Sequence, residues 1–119
     1  MSDPGRTPES ALPLKPADFH ILMVLLRTER HGYGIMQAVA EDSNQRVRLE
    51  VGSMYRLIAR LTDEGLIEES PRPPSRGTRR RYYRITEFGR RVAELEAGRL
   101  TDVVRLARDN ELIRDIEAG

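Results

Sequence analysis

The chain has 119 residues, of which 39% are hydrophobic and 33% charged, with a net charge of +1. That length suits one domain with a modest core, which buries roughly two-thirds of its unfolded surface, so a large uncovered apolar stripe points to self-association. The chain has no cysteine, which excludes disulfide scaffolds, thiolate zinc sites and thiol nucleophiles, and no apolar run approaches the ~18 residues of a membrane span.

Residues 1–13 carry Pro4, Gly5, Pro8 and Pro13 among polar side chains and read as a flexible arm. They lack the apolar stretch of a secretion signal, so a cytoplasmic location is expected. A first helix should start near Pro16, whose ring suits an opening helical position, and end near Thr28. Residues 21–26 are almost continuously apolar, as in a helix buried on most sides. A turn at Glu29-Arg30-His31-Gly32 leads to a second helix over 34–42, where Ile35, Ala38 and Val39 recur at the spacing of one buried face. Arg46-Val47-Arg48-Leu49 alternates polar and apolar residues and predicts a short strand.

The third helix has the clearest pattern. It starts near Gly52-Ser53, places Met54, Leu57, Ile58 and Leu61 on one face, and meets Gly65 where a left-handed cap is expected. Its other face carries Ser53, Tyr55, Arg56 and Arg60. Leu66-Ile67-Glu68-Glu69 and Arg81-Tyr82-Tyr83-Arg84-Ile85 read as the strands of a hairpin. Its long loop carries Arg72, Arg76 and Arg79, with Arg80 and Arg81 at the return. Thr86 suits the N-cap of a final long helix, along which lie Val92, Leu95, Leu100, Val103, Leu106 and Ala107, with a break near Asn110. The expected architecture is mainly α with a small β-hairpin. It comprises an arm (1–13), a winged helix-turn-helix (14–86) and a long C-terminal dimerisation helix (87–119).

Charge separates along the chain: residues 1–45 sum to −2, residues 46–91 to +6 and residues 92–119 to −3. A positive middle third is expected of a module that presents one face to a polyanion. Of the 20 basic residues 19 are arginine, the side chain suited to bidentate phosphate and guanine contacts. Chemistry of other kinds finds no support. His20 and His31 match no metal spacing, and adjacent carboxylates such as Asp63/Glu64 diverge on a helix instead of pairing for acid–base work. Gly32 and Gly34 lack the third glycine and preceding strand of a phosphate loop. No catalytic residue, metal ligand or cofactor is assigned, and no enzyme is expected.

A helix fits the major groove of DNA and reads bases with its first turns. Ser53, Tyr55, Arg56 and Arg60 are the candidate contacts on the third helix. Arg72, Arg76, Arg79 and Arg80 are the candidates on a wing that grips the backbone. Aromatics make up only 5%, too few for an RNA stacking platform. The alternative is a winged-helix module that docks a protein through Tyr82, Tyr83 and the long helix, without sequence-specific DNA binding.

Several motifs in one order carry a resemblance. His31-Gly32-Tyr33-Gly34-Ile35, Gly52-Ser53-Met54-Tyr55-Arg56-Leu57-Ile58, Leu61 with Glu64-Gly65-Leu66-Ile67, and Arg81-Tyr82-Tyr83-Arg84-Ile85-Thr86 with Gly89 resemble the PadR family of transcriptional regulators over about residues 14–108. The resemblance implies a prokaryotic homodimeric repressor on a pseudo-palindromic operator, in which residues like Tyr55 touch the DNA. About 30 residues follow the hairpin, similar to short-tailed members that dimerise through a single C-terminal helix. Some of those bind flat aromatic drugs against a tryptophan of that helix. This chain has no tryptophan, so the resemblance names no small-molecule effector.

Overall fold

A computed structural model describes residues 6–71 and 80–114. A 3₁₀ turn at Pro8–Ala11 precedes helix α1 (Pro16–Arg27), strand β1 (Arg30–His31), α2 (Gly32–Asp42), α3 (Val51–Asp63), β2 (Ile67–Glu69), β3 (Tyr82–Ile85) and α4 (Glu87–Asp109). The strands form one antiparallel sheet in the order β1-β3-β2. Its register sets His31 opposite Tyr82 and Glu68 opposite Arg84, and the latter pair is bridged at 2.7 Å.

The core follows the apolar periodicity. Ile21, Leu22, Val24 and Leu25 of α1 meet Ile35, Ala38 and Val39 of α2, Met54, Ile58 and Leu61 of α3, and Val92 and Ala93 of α4. Gly65 takes φ +78° after α3, a conformation in which a side chain is strained. The chain then reverses directly into β2. Thr86 caps α4 by accepting from the Gly89 N–H at 2.9 Å, and its own N–H donates to the Leu66 carbonyl at 3.1 Å.

Three expectations need correction. Residues 46–49 are not a strand. Asn44 and Gln45 adopt positive φ, and the Ser43 hydroxyl accepts from the Val47 N–H at 2.9 Å, so the segment closes on the end of α2 while Val47 and Leu49 still pack on the core. The third strand is instead Arg30–His31, within the segment expected to be only a turn. Two residues are too few for a period, and only pairing with β3 makes them a strand. The arm is docked from residue 6 onward, and residues 1–5 lie outside the described part. The 3₁₀ turn packs on α4, the Arg6 guanidinium donates to the Glu64 carbonyl, and it stacks over Phe88 at 5.0 Å. Buried Glu96 of α4 explains part of this docking. The Arg99 guanidinium, and with it the Leu14 N–H, hold its carboxyl below the usual carboxylate range despite burial.

α4 is longer than the body it packs on. Gly89, Val92, Ala93 and Glu96 are buried in its first half. The same helical stripe continues as Leu100, Val103, Val104 and Ala107. Past residue 96 the helix runs for about 20 Å more at ~1.5 Å per residue, and there Val103 is 49% and Val104 45% exposed. Among the described residues no helix is long and apolar enough to cross a membrane.

Candidate nucleic-acid interface

α3 buries Met54, Ile58 and Leu61 and turns Tyr55, Arg56 and Ala59 outward. Two of the expected contacts are already joined, since Arg56 Nη2 donates to Ser53 Oγ at 3.2 Å. This bond holds the guanidinium along the outer face of the first turns. Tyr55 is 54% exposed and lies beside the start of α2, where a Cβ on Gly32 would come within 3.4 Å of its ring. It also lines a groove between α3 and the hairpin, with Ala59, Asp63, Glu69, Arg81 and Tyr83. Burial first, and then the Glu69 carboxylate, push the Tyr83 pKa up, so its phenol stays protonated at neutral pH beside the charged Asp63, Glu69 and Arg81.

Arg60 stands apart from the others. Its guanidinium grips both carboxylate oxygens of Asp18 at 2.7 and 2.9 Å and reaches Glu64 at 3.4 Å. Asp18 is only 3% exposed. The Asp18 hydrogen bond is the main reason that the Arg60 pKa is raised. Arg60 therefore ties α3 to α1 and is not free for an outside partner. Arg60→Ala strands a buried carboxylate. It is expected to lower stability by about 1–3 kcal/mol, a buried-pair cost discounted for the guanidinium's partial exposure. Arg56→Ala removes a solvated group and is expected to stay within about 0.5 kcal/mol of the parent. Denaturant titration of the two variants separates strut from surface residue.

The base of the wing is built around His31. Its Nδ1 accepts from the Gly34 N–H at 3.0 Å, capping α2, and its ring meets Tyr82 edge-to-face at 5.4 Å. Its Nε2 lies 3.0 Å from the Arg80 guanidinium. Burial, and then that guanidinium, hold the His31 pKa below its usual value. The imidazole is thus neutral at physiological pH and the cap stays intact. Arg80 and Arg81 are both exposed at this end of β3. Arg72, Arg76 and Arg79 lie outside the described residues.

Of the residues expected on the dimer face, Val92 is fully enclosed in its own domain. Leu95, Leu100 and Ala107 are half-buried, and Val103 and Leu106 exposed. Two exposed residues escaped the sequence reading: Tyr33 at the start of α2 and Val51 at the start of α3. Val51 was hidden because the helix was expected to begin at Gly52, one residue late. Among the described residues no cluster of His, Cys, Asp and Glu could hold a metal ion.

The sequence matches the transcriptional regulator PadR-like family over residues 21–95. Among solved structures, a PadR-like transcriptional regulator from Bacillus cereus is similar, at 26% identity and a TM-score of 0.65, covering 90% of this chain and 96% of that one. A PadR family transcription regulator from Clostridium difficile matches at 25% identity and a TM-score of 0.66, over 80% of this chain and 97% of that one. Bacillus subtilis PadR, solved in complex with operator DNA, shares the fold at 21% identity and a TM-score of 0.59, over 90% of this chain and 52% of its own length.

Proposed function

The chain belongs to the PadR-like family of transcriptional regulators, and from that premise we propose that it is a dimeric, sequence-specific DNA-binding repressor of the cytoplasm. α3 enters the major groove and places Ser53, Tyr55 and Arg56 on base edges and phosphates. The wing, with Arg72, Arg76, Arg79 and Arg80, holds the backbone. The observation that carries this reading is the outer face of α3. Arg56 is exposed and already aimed by Ser53, and Arg80 stands exposed near the start of α2, 3.0 Å from His31 Nε2.

Two copies joined along the distal half of α4 present two such faces. Their operator is a pseudo-palindrome with half-sites about 34 Å apart or a multiple of it. The protein-docking alternative has less support, because Tyr82 and Tyr83, its aromatic anchors, are half-buried in the sheet.

Fluorescence anisotropy with a labelled duplex from the region upstream of the protein's own gene, and with a scrambled duplex, tests the reading. Affinity for the upstream duplex should exceed that for the scrambled one. It should also fall steeply between about 50 and 200 mM salt, as phosphate contacts release counterions. Absent or salt-insensitive binding would overturn it.

A further inference from the structure

α3 begins against the rules of helix stability. Glu50 stands at its N-cap, and its side chain makes no capping hydrogen bond, where serine, threonine, aspartate or asparagine would stabilise the end. Val51, a β-branched residue of low helix propensity, opens the helix and is 55% exposed. Gly52 follows inside the helix, where glycine is costly. Gly32, Gly65 and Gly89 have visible reasons. A Cβ on Gly32 would press on Met54 at 3.1 Å, one on Gly89 would strike a backbone oxygen, and Gly65 has positive φ. Gly52 has none of these, since a Cβ there would meet nothing within 4 Å. Local rules broken with no return inside the fold mark positions that serve an outside partner.

The rest of the ridge fits a close approach. Gly52, Arg56 and Ala59 stand at i, i+4 and i+7 on the side away from Met54, Ile58 and Leu61, and all three are exposed. One long cationic side chain is therefore flanked by the two smallest residue types. A surface can come close to the helix backbone on either side of Arg56. Val51 stands beside Gly52 as the apolar element at the leading end.

We propose that Val51 and Gly52 determine sequence specificity: Gly52 lets the start of α3 seat against base edges, and the Val51 methyl groups pack on the 5-methyl group of a thymine. In the major groove thymine alone offers an apolar methyl, so a valine there selects one base type. The inference rests on the DNA-binding reading above and adds a base identity to it.

The experiment first selects duplexes from a random library with the wild-type protein. Each thymine of the selected half-site is then replaced in turn by deoxyuridine, which deletes the methyl group and leaves pairing unchanged. One position should lose about three- to fivefold in affinity, the worth of one buried methyl contact. Val51→Ala should bind the thymine and uracil versions of that position equally. Gly52→Ala should raise the melting temperature by a few degrees, roughly the propensity gain, yet bind the selected duplex at least about tenfold more weakly, a loss near 1.4 kcal/mol. A merely structural glycine would not move the two readouts in opposite directions. Selected duplexes that tolerate uracil everywhere, or equal uracil sensitivity in Val51→Ala, would overturn the role of Val51. Unchanged affinity in Gly52→Ala would overturn that of Gly52. If the wild type selects no duplex at all, the DNA-binding reading fails and takes this proposal with it.

Discussion

Gly89→Ala should unfold the protein or cost more than about 3 kcal/mol, the upper range of overpacking. A Cβ at this position would lie 2.0 Å from the Leu66 carbonyl oxygen, 2.9 Å from its carbon and 3.0 Å from Ile85 Cγ1. The first two are backbone atoms and cannot swing aside. The Leu66 oxygen is also the acceptor for the Thr86 N–H, so moving it breaks the junction that starts α4. Gly98→Ala is the control on the same helix. A Cβ there meets nothing within 4 Å, and alanine should stabilise the helix by up to about 1 kcal/mol. Thermal unfolding followed by circular dichroism compares the two. Equal melting temperatures for Gly89→Ala and the parent would mean that α4 does not seat on the turn after α3.

That contact matters beyond stability. The turn that receives Gly89 is the one that ends α3, and the Thr86 hydroxyl donates to the Gly65 carbonyl within it. The direction of α4 is therefore fixed relative to α3 by backbone contacts with little slack. If α4 is the dimer axis, this junction sets the spacing of the two copies of α3. A small domain with so short a linkage leaves few torsions in which the heads can swing.

The parts of this design that were legible in the sequence are those decided locally. The period of α3, the cap at Gly65 and the Thr86 N-cap each involve residues within a few positions of one another, where propensity and periodicity act directly. Long-range pairings were not legible. Arg60 looked like another surface cation because its partner Asp18 is 42 residues away. β1 is two residues long and exists only by pairing with β3. The arm looked unstructured because its composition is polar and proline-rich, whereas its anchors, the Glu64 carbonyl and the Phe88 ring, lie far along the chain. The site shows the same division. Ser53, Tyr55 and Arg56 were found from helix period alone, and Val51 was missed by a one-residue error in a helix start. Only the three-dimensional neighbourhood shows that Gly52 has no structural reason to be glycine.

The second large effect is expected on the distal half of α4. Val103→Glu should convert a dimer to a monomer and weaken binding to a two-half-site duplex by a factor of about 10² or more, since the second half-site is then no longer bound intramolecularly. The reason is the stripe. Leu100, Val103, Val104 and Ala107 prolong the line that Val92, Ala93 and Glu96 bury in the domain, but here the domain has ended. Leu106, 62% exposed, widens the apolar surface at its edge. A helix in water does not sustain such a surface over about 20 Å without a partner of like chemistry, and a two-fold pairing of identical helices covers both copies at once. A carboxylate at residue 103 places two like charges near the axis and loses the apolar burial. Gly98→Glu, on the opposite side of the helix where a side chain meets nothing within 4 Å, adds the same charge without touching the stripe and should leave the dimer intact. Sedimentation equilibrium reads the association state, and anisotropy with duplexes of one and two half-sites reads the consequence. Val103→Glu should bind a single half-site as the parent does and lose only the gain from the second. A Val103→Glu protein that remains dimeric would show that the two copies meet elsewhere.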